Sequence, residues 1–120
     1  MPNNSRLFHI DLTPEYRRNL KDLAKKYRNI RSDTQAAIED LQKGVIVGDR
    51  LTGFGSEIYV YKLRIKNSNI QKGKSAGYRL IYLLESATSI LLLTIYSKTE
   101  KEDITVNDIN SILGEYFIEE

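Results

Sequence analysis

Six cations stand in one acid-free stretch of this 120-residue chain. Lys62, Arg64, Lys66, Lys72, Lys74 and Arg79 fall within residues 58–84, which contain no Asp or Glu. The chain as a whole has 18 basic and 16 acidic side chains and a net charge of +2, so the other 93 residues are net acidic. Charge gathered this way is the footprint of a polyanion partner, or of a solvated cationic face with none. Residues 57–66 alternate: Tyr59, Tyr61, Leu63 and Ile65 point one way, and Ile58, Val60, Lys62, Arg64 and Lys66 the other. Same-face neighbours on a strand lie about 6.6 Å apart, so Lys62, Arg64 and Lys66 form a row. Arg79 lies in the apolar run Gly77-Tyr-Arg-Leu-Ile-Tyr82 and joins the row if the two strands pair as a hairpin. An Arg in an apolar strand needs an anionic ligand or a carboxylate partner, and none lies between Glu57 and Glu85. A helix could still supply that carboxylate. The chemistry open to such a row is gripping a phosphate backbone and stabilising charge at a phosphoryl group.

Residue types exclude much else. With no Cys there is no disulfide, thiolate metal site or thiol nucleophile. There is no Gly-rich phosphate loop, no G-x-S-x-G and no His/Asp/Glu spacing suited to a metal, so neither metal nor cofactor is expected. The one histidine, His9, is read as lacking a paired carboxylate nearby and as structural. Tyr59, Tyr61, Tyr78 and Tyr82 alternate away from the cations and are read as core. Tyr96 ends its strand ahead of Lys98 and Lys101 and is the tyrosine expected at a site edge. No apolar run approaches the roughly 20 residues that span a bilayer. The polar start, Met1-Pro-Asn-Asn-Ser, has no signal-peptide core.

The elements that must position these residues follow from periodicity. After a loose start over residues 1–5, residues 6–10 read as a strand. Thr13-Pro14-Glu15 opens a helix with a capping hydroxyl, a first-turn proline and a carboxylate at the positive dipole end. Tyr16, Leu20, Leu23, Ala24 and Tyr27 form its apolar stripe, and Arg17, Arg18, Lys21, Lys25 and Arg28 its basic face. Ser32 and Gln35 fit a capping box for a second helix carrying Ala37, Ile38 and Leu41 and ending at Gly44. Residues 45–56 read as loop, and 57–66, 76–84 and 89–96 as three strands of an antiparallel meander. The last two strands are apolar enough to be central. Thr105 to Asp108 caps a terminal helix bearing Ile109, Ile112, Leu113, Tyr116 and Phe117. The expectation is a single α+β domain over residues 1–120, ordered βααβββα. It is a small twisted, mainly antiparallel sheet with an N-terminal helical hairpin on one face and a C-terminal helix. The other face is then free to present the cations.

Taken in order, these pieces resemble a known family. They are Lys62-Leu-Arg64, the linker Lys72-Gly-Lys74, Gly77-Tyr-Arg79-Leu-Ile-Tyr82, and Leu91-Leu-Leu-Thr-Ile-Tyr96-Ser-Lys98-Thr-Glu100. Together they resemble the RelE/ParE superfamily of bacterial type II toxins, closest to its HigB-like branch, over about residues 50–105. The resemblance implies a cytoplasmic, metal-independent endoribonuclease that cuts mRNA on the ribosome, inhibits translation and is held by a cognate antitoxin. It implies 2′-hydroxyl attack on the adjacent phosphate, with Arg64 and Arg79 stabilising charge and Lys62 transferring a proton. Lys66, Lys72, Lys74, Lys98 and Lys101 would contact RNA. Family enzymes carry an Arg just after the last strand and a Tyr a few residues later. Thr99 and Thr105 stand there in this chain, so Tyr96, Lys98 or Lys101 would take those roles. The same departure admits a ParE-like DNA gyrase inhibitor, or an RNA-binding module without catalysis.

Overall fold

The computed structural model describes residues 7–70 and 76–118. Residues 1–5, the expected strand start at Arg6, and the linker lysines Lys72 and Lys74 lie outside the described residues. Strand β1 (His9–Leu12) leads into helices α1 (Pro14–Lys26) and α2 (Ile30–Gln42). Then come the short strand β2 (Asp49–Arg50) and strands β3 (Tyr59–Ile65), β4 (Tyr78–Ser86) and β5 (Ser89–Ser97). Helix α3 (Val106–Ile118) follows. The five strands form one sheet in the order β1-β5-β4-β3-β2. β3, β4 and β5 make the expected antiparallel meander, β2 pairs antiparallel to β3, and β1 pairs parallel to β5. The α+β class and the placement of β4 and β5 as central strands hold. The segment read as loop contains β2, whose two residues pair with Tyr61 and Lys62.

Each sheet face carries a core. On one, Tyr16 and Leu23 of α1 and Ile30 and Leu41 of α2 pack on Ile65, Tyr78, Leu80, Tyr82, Ile90, Leu92 and Ile95. On the other, Ile109 and Ile112 of α3 pack on Val60, Ile81, Leu83, Leu91, Leu93 and Tyr96. Full burial of one such aliphatic side chain stabilises the fold by about 1.5–3 kcal/mol. The face expected to stand free is therefore covered in part by α3, and only its margin is left to the cations. Phe117, near the end of α3, is exposed.

Local chemistry sets the helix ends. Thr13 Oγ1 accepts the Tyr16 N–H at 2.9 Å and donates to the Leu93 carbonyl at 2.7 Å, so one buried hydroxyl caps α1 and ties it to β5. Thr13→Ala is expected to lower unfolding stability by about 2 kcal/mol in urea titration, with Thr13→Ser close to wild type. Helix α2 begins a turn before the expected Ser32 cap, with Asn29 at the cap position. The reason is the stripe Ile30, Thr34, Leu41: all three are buried, and Ile30 reaches the core only from a helical position. Ser32 instead donates to the Asn29 carbonyl, and Asp33 accepts from the Ser68 N–H and hydroxyl. Thr105 and Asp108 cap α3 reciprocally, at 3.0 and 3.2 Å.

A bulge in β5 controls which way its second half faces. Ile81 pairs with Thr94, yet Tyr82 pairs with Leu92, so β5 holds one extra residue there. Leu92 and Tyr96 are four residues apart and would share a face in a regular strand. The bulge separates them: Leu92 enters the core under the helical hairpin, and Tyr96 the core under α3.

Candidate functional site

Three side chains line up across the sheet. Arg64 of β3 is directly opposite Arg79 of β4, and Arg79 is directly opposite Tyr96 of β5. Directly opposed residues share a face, with Cβ atoms about 4.5–5.5 Å apart. Lys62 lies on the same face two residues before Arg64, opposite Ile81. Lys62, Arg64, Arg79 and Tyr96 thus gather on one side, at the margin of the α3 core. Two like charges directly opposed in a ladder are destabilising. A guanidinium facing a guanidinium is an arrangement suited to an anion.

The members differ in burial. Arg79 is 5% exposed, and it donates to the Tyr78 carbonyl at 3.2 Å. Arg64 is exposed and has no ion pair among the described residues. Lys62 is half-buried, with its ammonium 3.7 Å from Asp103 Oδ1. Tyr96 is 7% exposed, and its hydroxyl donates to the same Asp103 oxygen at 3.5 Å. Burial, helped by the Asp103 charge and opposed by Arg79, pushes the Tyr96 phenol up to about 12. The Ile104 N–H, acting with Lys62 and Lys98, holds the Asp103 carboxyl below the usual carboxylate range.

The remaining expected residues are dispersed. Lys101 lies with its ammonium 6.0 Å from the Tyr96 ring centre and 3.9 Å from Asp108 Oδ2. The Lys98 ammonium turns back to the Glu102 carbonyl. Lys66 is exposed just past the end of β3. Thr99 and Thr105 serve local structure: Thr99 meets Ser97 at 2.9 Å, and Thr105 is the α3 cap. Tyr61, Tyr78 and Tyr82 belong to the opposite core, as their alternation requires. Tyr59 does not: it is exposed, with the Arg50 guanidinium 4.2 Å above its ring.

Two residues escaped the sequence reading. His9 does have a carboxylate partner, Asp11, at 2.8 Å two residues along β1. Period-two spacing was the signal. This pair lies across the sheet from the cation row: His9 is level with Ser89, at the far end of β5 from Tyr96. Asp103 was the second. It sits in a mixed-charge turn, where no periodicity points to the row. Among the described residues no His/Asp/Glu group could hold a metal ion. No helix among them is long and apolar enough to cross a membrane.

Four buried phenols make stability sensitive to alkali. Burial pushes Tyr16 and Tyr96 up to about 12, and Tyr78 and Tyr82 higher still. An unfolded tyrosine titrates near 10. Above that pH the unfolded chain loses protons that the folded chain keeps, so stability falls as pH rises from about 10 through about 12. Urea unfolding is expected to show a lower midpoint at about pH 11 than at about pH 9. Equal midpoints would contradict the burial of these hydroxyls.

The sheet, its helical layers and the in-register cations define a small α+β protein with cations gathered at the margin of one sheet face. A family model described as the RelE toxin of the RelE/RelB toxin–antitoxin system matches residues 13–114. The match takes in most of the chain, from the α1 cap to the middle of α3, and the chain belongs to this RelE toxin family. Toxins of the family pair with RelB-type antitoxins and usually inhibit translation. A comparison with curated proteins found no match.

Proposed function

We propose that this toxin is a metal-independent endoribonuclease that cleaves mRNA on the ribosome. The observation that carries the reading is Arg64 facing Arg79 with Tyr96 next in line. In the step assigned here, an RNA 2′-hydroxyl attacks the adjacent phosphorus and the bond to the 5′-oxygen breaks. The products are a 2′,3′-cyclic phosphate and a 5′-hydroxyl. Arg64 and Arg79 stabilise the charge on the non-bridging oxygens. Lys62 is assigned the proton transfer at the 2′-hydroxyl: its neutral amine form takes up that proton and becomes the ammonium as the 2′-oxygen attacks. The Tyr96 phenol keeps its proton throughout the neutral range, which suits it to protonate the leaving 5′-oxygen. Lys66, Lys72, Lys74, Lys98 and Lys101 are assigned to the RNA backbone on either side.

The order Leu-Thr-Ile-Tyr96-Ser-Lys98 supports a HigB-like placement within the superfamily. Action on ribosomes places the protein in the cytoplasm. A cognate antitoxin is the expected partner, bringing acidic side chains to the cation row. The test is translation of a defined message with purified protein and ribosomes, followed by primer extension. Discrete cuts within the reading frame are expected; intact message with active protein overturns the reading. A second reading, gyrase inhibition on the same scaffold, draws on Thr99 and Thr105 replacing the family's usual Arg and Tyr. Gyrase supercoiling that persists at rising protein concentration removes it. RNA binding without any cut would leave the non-catalytic module.

A further inference from the structure

One carboxylate oxygen beside the cation row meets three donors. Asp103 Oδ1 accepts the Ile104 N–H at 2.8 Å. The Tyr96 hydroxyl reaches it at 3.5 Å and the Lys62 ammonium at 3.7 Å. An ammonium, a phenol and an amide N–H aimed at one oxyanion form a donor set equally suited to a phosphate oxygen. The Asp103 side chain is 64% exposed and lies in the turn between β5 and α3. Its one short bond is accepted from the N–H of the next residue, Ile104. The contacts to Lys62 and Tyr96 stand at the outer limit for such bonds, so giving them up costs little.

We infer that the Asp103 carboxylate is an internal stand-in for phosphate. In the free protein it occupies the anion position between Lys62 and Tyr96, and an RNA phosphate displaces it on binding. The inference rests on the RNA-cleaving reading and adds a built-in competitor to it. The competitor holds Lys62 and Tyr96 in place before substrate arrives. It also lowers the affinity of the free protein for stray anions, because a bound phosphate has to overcome a neighbouring negative charge. The charged and titratable groups facing Asp103 are Lys62 of β3, the neutral Tyr96 phenol of β5 and Lys98 of its own turn. Arg79 of β4 and Lys101 lie against Tyr96 rather than Asp103.

Asp103→Asn keeps the shape of the side chain and removes the charge. The probe is a short single-stranded RNA with 2′-O-methyl riboses, which binds without being cut, followed by fluorescence anisotropy across salt concentrations. The variant is expected to bind about tenfold more tightly, as removal of one adjacent like charge would allow. Its plot of log affinity against log salt is expected to steepen by about 0.7, the increment for one more neutralised phosphate on a single strand. Lys62→Gln in the same background is expected to cancel both gains, since the released cation is the ammonium of Lys62. Unchanged or weaker binding by Asp103→Asn overturns the stand-in, as does no measurable binding by either protein at low salt. The two readings fail separately. Tighter binding by the variant with intact message in the translation assay sinks cleavage alone, and cleavage without tighter binding sinks the stand-in alone.

Discussion

Arg79→Ala is expected to lower message cleavage by about 10²–10³-fold, the loss typical when one preorganised donor to a developing oxyanion is removed. Arg79 is the middle member of the in-register trio, opposed by Arg64 on one side and Tyr96 on the other. Among the described residues it is also the most buried of the cations. A guanidinium held away from water acts on a nearby phosphoryl group with less screening than a surface cation does. Arg79→Lys keeps the charge and loses the planar fork, so it is expected to retain RNA binding and still cleave poorly. Single-turnover primer extension gives the rate, and far-ultraviolet circular dichroism shows whether the sheet persists. Wild-type cleavage by folded Arg79→Ala would remove Arg79 from the site and the trio from the mechanism. Arg64→Ala, on the exposed partner, is expected to have a smaller effect of the same sign.

Gly77→Ala is expected to be the most damaging small substitution for the fold. A Cβ at Gly77 would stand 2.1 Å from the Ile65 carbonyl oxygen and 3.1 Å from the Asn67 nitrogen. Both are backbone atoms that cannot swing aside, so the β3–β4 junction has to open. Overpacking of this kind costs typically about 1–3 kcal/mol and sometimes more, and about 3 kcal/mol is expected in urea unfolding. Function suffers as well. The Gly77 carbonyl accepts the Lys98 N–H at 2.9 Å, so displacing it moves the turn that carries Lys98, Lys101 and Asp103. It also disturbs the register that sets Arg64 against Arg79. Gly114→Ala is the control: apart from the helix's own neighbouring backbone, nothing lies within 4 Å of its added Cβ. Inside α3 that change is expected to stabilise by up to about 1 kcal/mol. Equal stabilities for the two variants would contradict the close approach at Gly77.

Much of the scaffold was legible because its signals are periodic. The apolar stripe of α1, the alternation of β3 and the continuous apolar runs of β4 and β5 each report how an element is buried. They placed Lys62 and Arg64 on one face and the hairpin tyrosines on the other. Pairing of residue 64 with residue 79 was available only as a condition, because register depends on the connection between the strands. The rest depended on tertiary choices. Helix α2 starts at Ile30 because burial of that side chain outweighs the capping box at Ser32. Helix α3 covers part of the cationic face because Val60, Ile81 and Leu83 need an apolar partner there. Asp103 reaches the site from a turn, and turns carry no repeat to read.

The bulge at Leu92–Thr94 has one more consequence. It makes the composition of the site depend on how β5 pairs with β4 two ranks before Tyr96. If β5 paired straight on from Leu92 with no residue bulged out, Lys62, Arg64 and Arg79 would stay in place, but Leu93 would stand opposite Ile81 and Thr94 opposite Leu80. Ile95 would take up the rank beside Arg79, and the phenol would be lost from it. A register slip of one residue in β5 would thus remove the hydroxyl without touching any charge, and the extra residue at the bulge is what keeps the phenol in rank with the cations.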